Sequence, residues 1–261
     1  MKPVRAKKKL GQHFLTDLTI ARRIAETLDF QKYSNIIEIG PGMGVLTQFL
    51  VSETQSLNLV EIDSESVVYL KNTYDENQVN LIEGDFLKLD FKNTFGEEPF
   101  AIIGNFPYNI STQIVFKTLE NRDQIPFFSG MFQKEVAERI CEPPGSKKYG
   151  ILSVLTQLFY KTELLFHVPP QVFKPPPKVD SAVIRLVRKT DFHLDCDEVL
   201  LFQLVKLSFQ QRRKTLRNSL KTLNIPKMLT EDSIFDLRPE KLSGKDFVQL
   251  AKQIGHGNIS N

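Results

Sequence analysis

The sequence predicts an α/β fold: a Rossmann-like sheet, mostly parallel with one antiparallel edge strand, followed by a small all-helical C-terminal domain. Three observations carry this. Short apolar, β-branched runs alternate with helical periodicity from Ile36 to Ile140, the pattern of parallel strands joined by crossover helices. The first run leads into Gly40-Pro41-Gly42-Met43-Gly44 and then a helical stretch, so the chain reads strand, glycine turn, helix. Beyond Lys189 the apolar spacing is helical throughout, which places a domain boundary near Thr190 and gives domains 1–189 and 190–261.

Each element is grounded in its residues. Ile20, Ile24 and Leu28 share one helical face and Asp17 supplies an N-cap, predicting a helix over Thr19–Leu28. Ile36–Ile39 is the first strand, and Val45–Glu53 reads as the helix after the glycine turn. Leu57–Ile62 and Val79–Glu83 are the second and third strands, with a helix through Tyr69 between them. Phe100–Ile103 is the fourth strand, followed by a helix over Thr112–Leu119. Pro126–Phe132 is the fifth, followed by a helix over Lys134–Ile140. Pro143-Pro144-Gly145-Ser146 marks a loop and Ile151–Tyr160 a helix. Leu164–Val168 and Ser181–Val187, joined by a proline-rich segment, read as a hairpin closing the sheet. Helices over Leu200–Leu207, Phe209–Leu220, around Ser233 and over Ser243–Ile254 complete the chain, with breaks at Pro226 and Pro239.

The 261 residues carry a net charge of only +3, but the charge is unevenly placed. Lys2, Arg5, Lys7, Lys8 and Lys9 precede the first acid at Asp17, and Val199–Thr230 contains neither Asp nor Glu, whereas Glu53–Asp90 is rich in acids. That layout suits a polyanion bound at the ends of the chain and a different ligand in its middle. Cys141 and Cys196 are too few for a disulfide framework and lack metal-ligand spacing, so a reducing compartment is expected and no metal. Leu10–Leu15 gives way to Thr16 and Asp17 rather than to an apolar core of a leader. No run approaches the roughly 18 apolar residues of a membrane span. A cytoplasmic protein without a membrane partner is expected.

The chemistry concentrates at strand ends, where ligands of such sheets bind. A glycine at position 40 lets backbone approach a ligand, and an acid about 20 residues on, Glu61, can accept two hydrogen bonds from a ribose diol. The dinucleotide fingerprint requires a third glycine where this chain has Val45, which argues for a nucleoside without a pyrophosphate. Asp85, one strand further along, is placed to accept from an adenine amino group, with Phe86 beside it. Each acid alone reads as a solvated loop carboxylate. Together, at successive strand ends, they read as a nucleoside site.

After the fourth strand comes Gly104-Asn105-Phe106-Pro107-Tyr108. Alone it is an ordinary Asn-x-Pro turn. If the nucleoside is S-adenosylmethionine, its methyl group lies near Asn105, and two acceptors become useful. An adenine amine is a poor nucleophile because its lone pair is delocalised into the ring. The Asn105 side-chain carbonyl and the Phe106 main-chain carbonyl can bind its two N–H bonds, hold the nitrogen toward a tetrahedral shape and aim its lone pair at the methyl group. Pro107 stiffens the turn and Tyr108 stacks on a flipped-out base.

Leu10–Leu15 (LGQHFL), Glu38–Leu46 (EIGPGMGVL), Gly104–Thr112 (GNFPYNIST), Phe132–Val136 (FQKEV), Phe173–Val183 (FKPPPKVDSAV) and Phe209–Leu220 (FQQRRKTLRNSL), in this order, resemble the small-subunit ribosomal RNA adenine dimethyltransferases. The likeness spans nearly the whole chain and implies a class I methyltransferase fold and S-adenosylmethionine as cofactor. It implies a reaction at N6 of two adjacent adenosines near the 3′ end of small-subunit rRNA, on the immature subunit, by a monomer. It also implies cofactor contacts from His13, Leu15, Gly40, Glu61, Asp85 and Asn105. Position 13 is usually Asn in the family, so His13 is expected to contribute mainly backbone; His167, His193 and His256 read as structural or surface residues. By the same resemblance Phe173 closes on the face of the base opposite Tyr108.

In Phe209–Leu220 and the turn before it, Lys206, Arg213 and Arg217 share a predicted helical face flanked by Arg212 and Lys214, a surface for RNA phosphates. Three rivals remain: an adenine methyltransferase of large-subunit rRNA with the same fold, an RNA-binding assembly factor whose methylation is secondary, and a nicotinamide oxidoreductase. Val45 argues against the last. The FKPPPKVDSAV and FQQRRKT blocks argue for the small-subunit type, and the joint presence of Glu61, Asp85 and Asn105 against lost activity.

Overall fold

The computed structural model describes residues 4–54 and 56–259, with side chains described as far as Gly255. Lys2 and the His256 side chain fall outside the described residues. Two compact units emerge: residues 1–138 with 161–188, and residues 139–160 with 189–261. The boundary is therefore not a single cut near Thr190, because residues 139–160 belong with the C-terminal helices.

The first unit is built on a seven-stranded sheet. Its strands in chain order are β2 (Asn35–Ile39), β3 (Ser56–Glu61), β4 (Asn80–Glu83), β5 (Ala101–Asn105), β6 (Phe127–Gln133), β7 (Tyr160–Val168) and β9 (Ser181–Arg188), arranged β4-β3-β2-β5-β6-β9-β7. The first five run parallel, and β9 is antiparallel to β6 with Ser181 opposite Gln133. β2, β5 and β6 are almost wholly buried, as expected of central parallel strands covered on both faces. An asparagine ladder ties the opening ends of three strands: Asn80 donates to Asn58 at 2.8 Å, and Asn58 to Asn35 at 3.1 Å.

The crossover helices are α1 (Leu18–Ala25), α2 (Thr47–Leu50), α3 (Ser64–Lys71), α4 (Phe91–Phe95) and α5 (Ser111–Glu120), with α6 (Lys134–Cys141) after β6. Asp17 caps α1 by accepting from the Thr19 and Ile20 amides, as the sequence predicts. The helix expected over Val45–Glu53 is a single turn, α2. Hydrogen bonds three residues apart, Phe49 to Leu46 and Glu53 to Leu50, tighten the chain on either side of it. Ala21, Ile24, Ile36, Leu50, Leu59 and Ile103 anchor the core at full burial, each contributing on the order of 1–3 kcal/mol.

The N-terminal segment forms a strap. A 3-10 turn over Lys8–Leu10 ends at Gly11, and the two-residue strand β1 (Phe14–Leu15) pairs antiparallel with β8 (Phe173–Lys174). Thr16 extends this ladder by donating its amide to the Val172 carbonyl at 2.8 Å. Gly11 has φ +64°, a left-handed conformation that favours glycine, and a Cβ there would lie 2.5 Å from Asn109 Oδ1, so the strap meets the loop after β5 at a residue without a side chain.

The second unit holds α7 (Ile151–Phe159), α8 (Glu198–Gln210), α9 (Leu216–Ser219), α10 (Lys227–Thr230) and α11 (Gly244–Ile259). Leu201, Leu204, Val205, Leu216, Phe247, Leu250 and Ile254 form its buried seam. The helix expected over Phe209–Leu220 is not continuous: α8 stops at Gln210, residues 211–214 turn, and α9 starts only after Thr215. The basic residues there consequently do not share one helical face.

Candidate active site

The parallel strands end together, and the loops leaving them line one cleft of about 930 Å³, counting the space open to solvent. β2 delivers Gly40, β3 Glu61, β4 Asp85, and β5 Asn105, with Phe106, Pro107 and Tyr108 after it; the strap adds His13 and Leu15 from across the mouth. Nine residues singled out from the sequence thus border a single cleft. The turn after β2 has Gly40, Gly42 and Gly44 all at positive φ, and a Cβ on Gly42 would lie 2.9 Å from the Phe14 ring. Strap and turn are in contact across the cleft because that glycine is bare.

Glu61 is only 3% exposed. One carboxylate oxygen accepts from the Gly42 amide at 3.0 Å and the other from the Asp63 amide at 2.8 Å, which fixes the group against the glycine turn. Burial raises its pKa, opposed by these backbone donors. A carboxylate oxygen accepts more than one hydrogen bond, so the pair retains capacity for a diol. Asp85 spends one oxygen on the Leu87 amide, 3.0 Å away, and so caps the turn that brings Phe86 to the cleft wall. Phe86 itself is buried against Phe91, with ring centroids 5.3 Å apart. Ile62, 51% exposed between Glu61 and Asp63, adds apolar surface at the rim. Apolar walls, a buried carboxylate at the end of β3 and a second after β4 fit a nucleoside such as the one in S-adenosylmethionine.

At the end of β5 the Asn105 side-chain nitrogen donates to the His13 carbonyl at 3.2 Å. This orients the amide and leaves its oxygen as the free acceptor. Phe106 turns inward, stacking on Phe128 at 4.9 Å and packing on Phe132 at 5.0 Å, while its amide donates to the Met131 carbonyl. Among the described residues no hydrogen bond occupies its own carbonyl. Tyr108 borders the cleft with its hydroxyl bonded to Ser181 Oγ, and burial raises its pKa, so the phenol stays protonated. His13 stacks on Tyr108, ring centroids 5.4 Å apart, with its Nδ1 2.8 Å from the Pro175 carbonyl oxygen.

Phe173 is placed elsewhere. It is 3% exposed, pairs with Leu15 and packs into the same core as Val168 and Val183, away from the cleft wall. Burying that ring under the strap is favourable by about 2–3 kcal/mol, and from there it does not cover a base beside Tyr108. The basic residues also divide. Arg217 is committed to Asp236, at 2.8 Å, and to the Thr230 carbonyl, and Arg212 donates to the Ser146 carbonyl at 3.0 Å. Lys206, Arg213 and Lys214 are exposed, and among the described residues their side chains have no partner.

Several contributors escape a reading of the sequence. Asp63, the cap of α3, accepts from Lys7 Nζ and from Gln12 Nε2 at 3.1 Å, latching the strap to the rim beside Glu61. Burial alone would raise the Asp63 pKa; these donors outweigh it and hold the carboxyl below its ordinary value. Glu38, 1% exposed beneath the glycine turn, accepts from Thr47 Oγ1 at 2.7 Å, and burial pushes its pKa up to about 8. Chain-distant pairings such as Lys7 with Asp63 leave no mark in local periodicity.

The family model for ribosomal RNA adenine dimethylase matches residues 4–252. The chain belongs to the ribosomal RNA adenine dimethylase family. It is accordingly an S-adenosylmethionine-dependent methyltransferase. The ribosomal RNA small subunit methyltransferase A of Flavobacterium johnsoniae is 59% identical over 254 residues, covering 97% of each chain. The protein of the same name from Bacteroides thetaiotaomicron is 55% identical over 257 residues, covering 97% of this chain and 96% of its own. Among solved structures, a dimethyladenosine transferase from Plasmodium falciparum superposes with TM-score 0.78 at 26% identity, over 94% of this dimethylase and 98% of that chain. The 23S rRNA methyltransferase ErmE gives 0.68 at 26% identity, over 91% and 99%. The class I methyltransferase sheet expected from the sequence is thereby shared with both.

Proposed function

We propose that this dimethylase converts two adjacent adenosines near the 3′ end of small-subunit rRNA to N6,N6-dimethyladenosines, acting as a cytoplasmic monomer on the immature small subunit. The observation that carries the chemistry is the Asn105 amide, whose nitrogen is spent on the His13 carbonyl so that its oxygen is left to accept. S-Adenosylmethionine, when bound, supplies an electrophilic methyl group. Everything else is done by the chain. Glu61 and Asp85 would hold the ribose and adenine of the cofactor, and His13, Leu15 and Gly40 would contact it from the strap and the glycine turn.

Asn105 Oδ1 and the Phe106 carbonyl accept the N–H bonds of the target amine, two before the first transfer and the remaining one before the second, which localises its lone pair and favours the positive charge that develops on nitrogen. That charge makes the departing proton acidic, so it passes to solvent and no strong base is required. Pro107 fixes the turn, and Tyr108 offers the target base the ring face that His13 does not cover. Lys206, Arg213 and Lys214 hold RNA phosphates without reading bases, while Arg212 and Arg217 shape the surface that presents them.

The small subunit is favoured as target because the relatives named for it are 55–59% identical, against 26% for the 23S rRNA enzyme. Mass mapping of modified adenosines after incubating the protein with immature small subunits and labelled cofactor tests the assignment. Two neighbouring dimethyladenosines near the 3′ end are expected; label confined to large-subunit rRNA would overturn it.

A further inference from the structure

We propose that Ser181 is a positioning residue for methyl transfer: its buried hydroxyl, bonded to the Tyr108 phenol, fixes the plane of the aromatic platform on which the target adenine stacks. The inference rests on the reading of Tyr108 as that platform.

Tyr108 lies three residues beyond the end of β5, on a loop whose nearby bonds constrain backbone rather than ring: Ile110 N–H to the Pro107 carbonyl at 3.2 Å, and Ser111 Oγ to the Tyr108 carbonyl at 3.2 Å. Two contacts from elsewhere hold the ring. His13 covers one face, itself held by the Pro175 carbonyl. Ser181 takes the hydroxyl. As the first residue of β9, with no exposed surface and locked opposite Gln133, Ser181 is a rigid anchor in the sheet. A side chain fixed this way has little freedom to follow the ring. The ring must follow it. A stacked base inherits the ring plane, and with it the angle at which its amine meets Asn105 Oδ1.

The experiment compares Ser181→Ala, Ser181→Thr, Tyr108→Phe, Tyr108→Ala and the Tyr108→Phe/Ser181→Ala double variant. The readouts are steady-state kinetics on immature small subunits and fluorescence of particles reconstituted with 2-aminopurine at a target position. Ser181→Ala should lower kcat about tenfold with the Michaelis constants for cofactor and particle little changed, since phosphate contacts supply most of the affinity. Its complex should fluoresce more brightly, because the base is less firmly stacked.

Ser181→Thr, which keeps the hydroxyl, should restore most of both. In the Tyr108→Phe background Ser181→Ala should cost nothing further. A kcat within twofold of the wild type with unchanged fluorescence would overturn the proposal, as would an equal cost of Ser181→Ala in both backgrounds. Unchanged fluorescence in Tyr108→Ala would instead refute the platform reading. Melting temperatures accompany each variant, and if Ser181→Ala does not fold, Tyr108→Phe deletes the same bond from the loop side and decides the question.

Discussion

Glu38 offers a test of how the glycine turn is built. Its carboxyl lies beneath the turn with 1% exposure and, among the described residues, one neutral hydroxyl partner in Thr47, so burial, with a smaller contribution from Glu61, raises its pKa from 4.5 to about 8. The folded protein therefore prefers the protonated acid, whereas the unfolded chain ionises near 4.5. The stabilisation is complete below the unfolded value and is lost as pH rises through the folded one, at about 1.4 kcal/mol per pH unit in between. Over the full interval this amounts to something on the order of 5 kcal/mol. Glu38→Gln retains an acceptor for Thr47 and cannot ionise. Urea unfolding of both proteins from about pH 4 to 9 should give a stability difference, wild type minus variant, that falls steadily between about pH 5 and pH 8 and levels off above. A flat difference would show that the carboxylate is charged and solvated in the folded state, and the description of a dry acid under the turn would be wrong.

The strap and the second unit give two more expected outcomes. Lys7→Ala should loosen the strap, because Lys7 is its ionic tie to Asp63 and Glu65; the cofactor Michaelis constant should rise a few-fold, and wild-type cofactor affinity should weaken with added salt while that of the variant should not. In the second unit, Arg213→Ala and Lys214→Ala should each lower the slope of log affinity for rRNA against log salt by roughly 0.7–0.9 with unchanged melting. Arg217→Ala should chiefly lower the melting temperature, since it removes the contacts to Asp236 and Thr230.

The strand ends were legible because each apolar run stops at a residue of different chemistry: Ile39 before Gly40, Val60 before Glu61, Ile103 before Gly104 and Asn105. Spacing along the chain converts directly into position along an edge of a parallel sheet, so Glu61, Asp85 and Asn105 could be grouped from the chain alone. Residues that act by folding back were not legible in this way. Lys7 and Asp63 are 56 positions apart, and Tyr108 and Ser181 are 73 apart. Phe173 carried an ambiguous signal, because an aromatic residue before three prolines suits a stiffened loop closing over a base as well as a short strand pairing with Leu15. The break between α8 and α9 was hidden because residues 211–214 contain neither Gly nor Pro, so helical periodicity ran on through a turn. Residues 139–160 joined the second unit through packing that their own pattern does not encode.

The central claim is that acceptors rather than a base activate the target amine, and Asn105→Ala measures it most directly. Removing the oxygen should lower kcat by about 10²–10³, the cost of one preorganised partner to developing charge, with correct folding. The variant's residual rate should vary with pH as the wild type's does, because no titrating base has been lost. A rate within a few-fold of the wild type, or a new dependence on pH, would contradict it.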